Sequence, residues 1–213
     1  MKGSRFDLME GTMPWHRIDT VVFDIGNILI RFDPEYFLTL LYPGDPLTQK
    51  NMLERVYKGP YWIEFDRGTL SYEEAAGKLA EQWGGTPEEY LVPMKGWIDL
   101  KTPIEEGWET VRRCRRAGKR LWLLSNYADD GYLALRKKFA DLFELFDGAT
   151  ISCFHHEIKP EPAIYRSLIA ESGLDPRRSL FIDDVLANVE GAMEAGINGF
   201  HMHEKGAMKR FFI

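Results

Sequence analysis

The chain has 213 residues, of which 45% are hydrophobic, 28% charged and 13% aromatic, and this composition excludes a largely disordered protein. Lysine and arginine number 27 against 33 aspartates and glutamates, and the formal charge of -6 argues against broad binding to nucleic acid or to anionic lipid. A chain of this length is expected to form one large domain, or a core domain that carries a smaller insert.

Cysteine usage and hydropathy bear on where the protein works. Cys114 and Cys153 lack the closely spaced cysteine or histidine partners of a zinc site, so we expect neither a disulfide framework nor a structural metal, and a reducing, cytoplasmic setting. The sequence has no apolar run of the roughly 18 residues that a membrane-spanning helix needs, so no membrane association is expected. Residues 1–17 are predicted to form an irregular leader without a secretory signal.

Short apolar runs alternate with segments of helical period along the rest of the chain. The predicted strands are residues 21–23, 121–124, 148–152, 180–182 and 198–202. The predicted helices are residues 104–117, 162–172 and 186–195, each followed by a glycine at a position typical of a helix end. This alternation predicts an α/β fold with a doubly wound, Rossmann-like parallel sheet.

The segment from residue 33 to residue 101 has a different pattern. It contains no buried-strand run, and Ser71 with Glu74 has the spacing of a capping box before an amphipathic helix. We therefore predict an α-helical insert between the first strand and the rest of the sheet. Its aromatic residues are expected mainly to fill a small helical core, with one or two facing a ligand. They are Tyr57, Tyr61, Trp62, Phe65, Trp83, Tyr90 and Trp97.

Polar residues directly follow the predicted strands. Ligands of an open parallel sheet bind beyond the carboxyl ends of its strands, so these residues are candidates for a site. They are Asp24, Ser125, Asn126, Asp183 and Asp184, together with Lys159 in the loop before a predicted helix. Individually, each has an ordinary explanation as a turn or helix-capping residue. Together, three carboxylates, a hydroxyl and a lysine predict a divalent-metal site that faces an anion.

These segments carry a resemblance to the haloacid dehalogenase-like hydrolase superfamily, in its helical-cap subfamily. The four motifs are, in chain order, VFDIGN at residues 22–27, LSN at 124–126, KPEPAIY at 159–165 and FIDD at 181–184 followed by Asn188. Their order makes the resemblance specific over residues 20 to about 203. It implies a catalytic core of residues 18–32 and 102–213 and an α-helical cap of residues 33–101.

The resemblance implies a Mg²⁺-dependent phosphatase that hydrolyses a small phosphorylated metabolite through an aspartyl-phosphate. Asp24 is then the nucleophile, and Ser125 and Lys159 assist the transfer. The implied Mg²⁺ ligands are Asp24, Asp183, Asp184 and the backbone carbonyl of Gly26. The implied phosphate ligands are Ser125, Asn126 through its backbone N–H, and Lys159. Asn188 is expected to support the site by orienting its loop or a metal-bound water.

Gly26 departs from the common pattern of the superfamily. Phosphatases of this superfamily usually carry a second aspartate two positions after the nucleophile, which acts as general acid and base. The Asp-x-Gly-Asn form resembles a branch that includes glucose-1-phosphatase-like enzymes. A sugar 1-phosphate has a better leaving group than an ordinary alkyl phosphate, so we expect sugar phosphates to be favoured. A second hypothesis is that His156 supplies the proton, although a surface histidine is the favoured interpretation for both His155 and His156.

Other functions and other residues fit the sequence less well. The alternatives are a haloacid dehalogenase, a phosphomutase, and a non-catalytic or very slow phosphosugar-binding or regulatory protein. Glu64, Asp66 and Arg67 are candidates for specificity within the insert, and hinges are expected near residues 30–33 and 101–103. The basic residues near 112–120 are interpreted as a solvated helix face, so no nucleic-acid partner is expected. The oligomeric state has no signature in the sequence.

Overall fold

A central parallel sheet organises the chain. The computed structural model describes residues 15–96, 100–203 and 208. Five strands form one sheet in the order β3-β2-β1-β4-β5, and every neighbouring pair is parallel. The strands are β1 (Thr20–Phe23), β2 (Arg120–Ser125), β3 (Gly148–Ile151), β4 (Ser179–Asp183) and β5 (Asn198–His201). The predicted Rossmann-like α/β fold is confirmed, with all five predicted strands present.

Both faces of the sheet are buried, which explains why its strands do not alternate apolar with polar residues. Val21 and Phe23 belong to one hydrophobic cluster, whereas Val22 between them belongs to the other. Successive side chains of a strand point to opposite faces, so each cluster covers one face. Helices pack on both faces as a result.

Eleven α-helices are present in the described part of the chain. Before β2 they are α1 (Pro34–Leu41), α2 (Pro46–Met52), α3 (Pro60–Arg67), α4 (Tyr72–Trp83), α5 (Pro87–Lys95) and α6 (Glu105–Arg116). After β2 they are α7 (Asp129–Lys138), α8 (Ala140–Phe143), α9 (Ser152–His155), α10 (Pro162–Ser172) and α11 (Leu186–Glu194). A π-helical turn at Leu53–Tyr57 and 3₁₀ turns at Trp15–Arg17 and Pro176–Arg178 complete the elements. No helix in the described ranges is long and apolar enough to cross a membrane.

Local signals in the sequence define several of these helices. Ser71 accepts the backbone N–H of Glu74, and the Glu74 carboxylate accepts the backbone N–H of Ser71, so the predicted capping box of α4 is confirmed. Pro162 begins α10, where its missing N–H has no helical partner to lose. Gly173 ends the same helix with φ of 61°, a left-handed conformation that favours glycine. The predicted bounds of α10 are confirmed.

The segment between β1 and α6 is helical and has its own aromatic contacts. Trp62 packs against Tyr57 and Phe65 with ring centroids 4.8 Å and 5.5 Å apart, and all three side chains are buried. Trp83 instead is 49% exposed and lies beside the guanidinium of Arg55, so the expectation that it fills a core is wrong. Trp97 lies outside the described residues. These helices join the same hydrophobic cluster as Phe23 of the sheet.

The two chain segments that flank this helical region run side by side. Ile30 forms an antiparallel bridge with Pro103, and the Arg31 backbone N–H donates to the Thr102 carbonyl at 2.9 Å. The Ile104 N–H donates to the Leu29 carbonyl at 2.8 Å. The chain therefore leaves the sheet and returns to it at one place, next to the carboxyl end of β1.

Candidate active site

Strand order identifies the edge at which a ligand would bind. From β1 the chain builds the sheet first through β2 and β3 on one side, and then through β4 and β5 on the other. In such sheets the crevice beyond the carboxyl ends of the strands at this reversal is the usual binding position. Phe23, the last residue of β1, is in register with Leu123 and Ile182. The polar residues that follow these three positions are therefore brought to one edge.

Asp24 lies at the centre of this edge. It is 7% exposed, and its backbone N–H donates to the Ile182 carbonyl at 2.9 Å. Its carboxylate Oδ1 accepts hydrogen bonds from the Ser125 hydroxyl at 2.7 Å and from Lys159 Nζ at 2.8 Å. One oxygen of the carboxylate is thus held by two donors. The position of a Cβ at Gly26 would be 3.7 Å from the other oxygen, Oδ2.

Lys159 connects the two neighbouring strand ends. Its Nζ donates to Asp24 Oδ1 at 2.8 Å, to Asp183 Oδ2 at 2.7 Å and to the Leu124 carbonyl at 3.1 Å, which uses all three ammonium protons. The side chain is only 2% exposed. Burial opposes its charged form, but the carboxylates of Asp183 and Asp24 outweigh that effect and raise the pKa of Lys159 above its ordinary value. The ammonium is therefore charged at neutral pH.

Asp183 is fully buried and has several donors. Its Oδ1 accepts the Val185 backbone N–H at 2.7 Å, and the Asn188 amide donates to both carboxylate oxygens at 3.2 and 3.1 Å. Asn188 is itself held, because its backbone carbonyl accepts the Tyr165 hydroxyl at 2.7 Å. Together with the ammonium of Lys159, these donors fix the orientation of the Asp183 carboxylate.

Asn126 holds the loop that carries Lys159. Its amide nitrogen donates to the Lys159 carbonyl at 3.0 Å, and its amide oxygen accepts the Lys159 backbone N–H at 2.8 Å. The side chain of Asn126 is therefore engaged with a peptide group of the neighbouring loop. Only its backbone is left as the phosphate ligand that the sequence predicts.

Asp184 completes a cluster of carboxylates with Asp24 and Asp183. Each offers one oxygen, and these oxygens lie within 4.8 Å of one another. The Asn27 amide donates to Asp184 Oδ2 at 3.2 Å, and Asn27 adopts a left-handed conformation with φ of 52°. The Gly26 carbonyl accepts the Ile28 N–H at 2.6 Å, which leaves its second lone pair for another partner.

The electrostatics of the cluster favour a cation. Burial raises the pKa of Asp24 to about 6, against the lowering effect of Lys159 and with a further increase from Asp183. Burial and then the charge of Asp183 raise the pKa of Asp184. Three formal carboxylate charges face one ammonium, so a divalent cation would balance the site. Oxygen donors of this kind are those that Mg²⁺ prefers, and the residues therefore fit that ion.

A cavity of about 210 Å³ opens onto this edge. Asp24, Ser125, Lys159 and Asp184 line its polar side. The same cavity is lined by Phe32, Tyr127 and Val185, and by Trp62, Phe65 and Asp66 of α3. The helical segment and the sheet edge thus contribute to one space, which combines polar groups with aromatic side chains.

Three polar residues of α3 were predicted as specificity candidates, and the structure separates them. Asp66 lines the cavity, whereas Glu64 and Arg67 are not among its lining residues. Glu64 accepts the Thr69 hydroxyl at 2.7 Å. Arg67 makes a bidentate ion pair with Glu161, in which both nitrogen–oxygen distances are 2.7 Å. Glu64 and Arg67 therefore stabilise the surface around the cavity.

The structure does not support His156 as a proton donor. It lies in a separate depression with Gly68 and Cys153, and its Nδ1 is 3.3 Å from the Arg67 carbonyl. His155 is beside Glu171, with 3.3 Å between Nε2 and Oε2. Both histidines have structural partners outside the cavity that contains Asp24, so the hypothesis that His156 supplies the proton is wrong on geometric grounds.

Two features of the site were missed by reasoning from the sequence. Asn27 was identified only as part of a motif, although its amide holds Asp184 and its carbonyl oxygen Oδ1 accepts the Phe32 N–H at 3.0 Å. Lys101 is 4% exposed, and its Nζ lies 4.1 Å from the centre of the Phe32 ring. A lysine at the end of the predicted helical insert carries no local signal of burial, so only the fold reveals it.

Comparison with known proteins is consistent with this site. Residues 18–196 match the family described as haloacid dehalogenase-like hydrolase. A sesquiterpene phosphatase of Aspergillus oryzae is 22% identical over 181 residues, which cover 85% of this chain and 88% of the relative.

Two solved structures share the fold. A HAD family enzyme of Bacteroides thetaiotaomicron, in complex with magnesium and inorganic phosphate, has a TM-score of 0.68 at 20% identity over 89% of this chain and 98% of that chain. An L-2-haloacid dehalogenase of Xanthobacter autotrophicus, with chloropropionic acid covalently bound, has a TM-score of 0.65 at 23% identity over 91% of this chain and 81% of that chain.

Proposed function

Because the chain belongs to the haloacid dehalogenase-like hydrolase family, we propose that it hydrolyses phosphate monoesters of small metabolites with Asp24 as the nucleophile. One observation carries the proposal. The buried ammonium of Lys159 bridges the carboxylates of Asp24 and Asp183, and the carboxylate of Asp184 lies in the same cluster. A site of this kind neutralises and orients an attacking carboxylate next to an anionic substrate.

Two displacements at phosphorus make up the proposed reaction. An Asp24 carboxylate oxygen attacks the phosphorus atom, the bond from phosphorus to the ester oxygen breaks, and the alcohol leaves with one added proton. Water then attacks the phosphorus of the aspartyl-phosphate, the bond to Asp24 breaks, and inorganic phosphate leaves. Splitting the hydrolysis into two steps is the general advantage of a covalent intermediate.

Ser125 and Lys159 would hold the charge of the transferred group. Both already contact Oδ1 of Asp24, which brings a hydroxyl donor and an ammonium to the position that phosphate oxygens would occupy beside the nucleophile. Positioning and electrostatic stabilisation supply most of the catalysis in phosphoryl transfer. Asn126, Asp183 and Asn188 would act as positioning residues, since their contacts fix Lys159 and its loop.

Asp24, Asp184 and the carbonyl of Gly26 are the oxygen donors that would hold a Mg²⁺ ion, with Asp183 beside them. When bound, Mg²⁺ neutralises phosphate charge and so permits an anionic nucleophile to approach. A neighbour of the same fold binds magnesium and inorganic phosphate, which supports this part of the proposal. Asp183 is the weakest candidate ligand, because Lys159, Asn188 and Val185 already occupy its oxygens.

Residues 33–101 would act as an α-helical cap over a catalytic core of residues 18–32 and 102–213. Trp62 and Phe65 of this segment line the cavity and support the proposal, since aromatic rings there would exclude water and contact the part of the substrate beyond the phosphate. Sugar phosphates remain the proposed substrates, because aromatic rings pack well on sugar faces and because an anomeric phosphate needs less help from an acid. We also propose that the chain belongs to the Asp-x-Gly-Asn branch of the family, on the basis of Asp24, Gly26 and Asn27.

A haloacid dehalogenase is the competing function, since one structural neighbour is an L-2-haloacid dehalogenase with chloropropionic acid covalently bound. Dehalogenation by a carboxylate requires no metal, whereas the carboxylate cluster here favours a divalent cation. The sesquiterpene phosphatase among the relatives also supports phosphate esters. A binding protein without turnover is the third possibility. The contacts of Ser125 and Lys159 with the proposed nucleophile Asp24 argue against it.

The deciding experiment compares the wild type with Asp24→Asn on p-nitrophenyl phosphate and on chloropropionate, with Mg²⁺ and with EDTA. We expect phosphate release by the wild type with Mg²⁺ only, and a loss of at least about 10⁴-fold in Asp24→Asn. Chloride release without Mg²⁺ would identify a dehalogenase. No turnover over a panel of sugar phosphates, nucleotides and small acid phosphates would identify a binding protein.

A further inference from the structure

The proposed reaction lacks a residue that protonates the leaving oxygen. Gly26 has no side chain, so the position two residues after Asp24 offers no acid. An alkoxide is a poor leaving group, and a positioned acid typically contributes about 10²- to 10⁴-fold to the rate. An acid that replaces it would have to line the cavity on the side opposite Asp24.

Asp66 is a carboxylic acid of the helical segment that lines the cavity at the strand ends. It lines the same cavity as Asp24 and Ser125 but comes from α3, so the two carboxyl groups approach that space from different elements. The carboxyl group of Asp66 lies near the Trp62 side chain and the Ala128 backbone N–H, both of which favour its charged form. Its backbone carbonyl accepts the Ser152 hydroxyl, which attaches the end of α3 to the sheet side. The end of α3 that carries Asp66 is thus held in place.

The surroundings of Asp66 favour the protonated form of its carboxyl group. Although the residue as a whole is partly exposed, its carboxyl group is enclosed, and burial raises its pKa to about 8 against the opposing charge of Lys101. Burial also lowers the pKa of Lys101 to about 6. The other titratable groups that face Asp66 are Asp24, Tyr72, Tyr127 and Cys153.

Asp66 and Lys101 interact, so their titration belongs to the pair. Between the two pKa values the pair carries one proton, and burial favours its uncharged arrangement, in which the proton is on the carboxyl group. Only Asp66 of the two lines the cavity that contains Asp24. A protonated carboxylic acid at this position is a hydrogen-bond donor to whatever oxygen lies between it and Asp24.

We propose that Asp66 is the general acid and base of this enzyme and replaces the aspartate that is absent at position 26. The inference rests on the proposed phosphatase function. As the bond from phosphorus to the ester oxygen breaks, the Asp66 carboxyl proton passes to that oxygen and the alcohol leaves. In the second step the Asp66 carboxylate takes a proton from the attacking water. Asp66 ends protonated again, and the sum is hydrolysis of one ester by one water.

The leaving group provides the test. In Asp66→Asn with Mg²⁺, we expect kcat/KM for a simple alkyl phosphate to fall by about 10²-fold or more, because that oxygen needs a proton. The same variant should lose less than about threefold on 2,4-dinitrophenyl phosphate, whose leaving group departs as a stable anion. Glu64→Gln, which changes another carboxylate of α3 outside the cavity, is the matched control and should resemble the wild type on both esters.

The outcomes separate the two proposals. Equal losses of kcat/KM by Asp66→Asn on both esters, in a variant with a normal circular dichroism spectrum and melting temperature, would overturn the role of Asp66 and leave the phosphatase intact. Unchanged turnover of both would overturn it as well. Absence of phosphate release from either ester by the wild type would overturn the proposed function itself. If Asp66→Asn does not fold, Asp66→Glu is measured in its place. In either background, we expect Gly26→Asp to restore turnover of the alkyl phosphate.

Discussion

The sheet edge and the helical segment meet across one cavity, but their charged groups are held differently. At the edge, Asp24, Lys159 and Asp183 are buried and each contacts the next within 2.8 Å. In the helical segment most ion pairs lie at the surface, as between Lys95 and Glu73, whose side chains are 49% and 65% exposed. Asp66 is the exception, since its carboxyl group is enclosed beside Lys101.

The difference reflects the geometry of the two elements. Strand ends in a parallel sheet are fixed by hydrogen bonds on both sides, so a side chain placed there keeps its position relative to the next strand. Helices of the segment are held mainly by apolar packing on one face, which permits variation in what they present to the cavity. The sheet edge is therefore suited to the proposed phosphoryl transfer. The helical segment is suited to substrate choice and to the proposed proton transfer.

The largest effect on stability is expected from Lys159→Met. The substitution leaves the carboxylates of Asp24 and Asp183 buried without their cation, and breaking a buried pair in this way costs roughly 3–5 kcal/mol. Chemical denaturation measures the loss. Asp183→Asn in the same chain should restore part of it, because one of the uncompensated charges is then removed. If Lys159→Met alone is as stable as the wild type, this ion pair does not organise the sheet edge.

The pH dependence of stability should reveal the protonated Asp66. The fold raises the pKa of Asp66 from its ordinary value of 3.8 to about 8, so between these values the folded state binds more protons than the unfolded state. The contribution of Asp66 to the free energy of unfolding therefore decreases as pH rises through this window, by up to about 1.4 kcal/mol per pH unit.

Asp66→Asn removes this contribution. Denaturation of both proteins at several values between pH 5 and pH 8 should show that the wild type loses stability relative to the variant as pH rises. The variant retains Asp24 and Lys101, so the difference reports the titration of Asp66 together with its coupling to Lys101. A difference that does not change with pH would mean that Asp66 is ionised and paired with a charged Lys101, and would place the chemistry at the sheet edge alone.

Gly26→Asp tests whether the edge accepts the acid that it lacks. A Cβ at this position would be 3.7 Å from Asp24 Oδ2, which is an ordinary contact, so the backbone at position 26 has room for a Cβ. In the Asp66→Asn background we expect about a tenfold or greater gain in alkyl phosphate turnover, and a smaller gain in the wild type, where Asp66 already supplies the proton. Gly26→Ala is the matched control. Equal gains in both backgrounds would argue that Asp66 and the new aspartate are independent.

The smallest effect is expected from Arg67→Ala. The bidentate pair with Glu161 joins α3 to the loop after Lys159, but Glu161 is 46% exposed, and pairs of this kind contribute about 0.2–1 kcal/mol. We expect a loss of under about 1 kcal/mol in thermal or chemical denaturation and little change in kcat, with Arg67→Lys between the two proteins. A large loss of kcat would instead indicate that the helical segment holds its position through this contact.

Much of the sheet edge was predictable because its signals are local. Asp24, Ser125 and Asp183 each follow an apolar run, and parallel strands bring such positions together whatever the loops do. The residues predicted for this edge lie close together in the structure. The side chain of Asn126, however, forms hydrogen bonds with the backbone of Lys159. The helical segment was predictable as helical, yet its contributions to the cavity were not, since Trp62, Phe65 and Trp83 look alike in the sequence and only the first two are buried.

The sequence alone therefore determined the alternation of strands and helices, the order of the motifs and the absence of an acid at Gly26, because each of these depends on residues that are close together in the chain. The tertiary structure decided that Lys159 bridges two carboxylates and that Asp66, from a helix, lines the same cavity as Asp24. It also decided the proton balance of Asp66 and Lys101, because a pKa depends on burial and on charges that folding brings from distant parts of the chain.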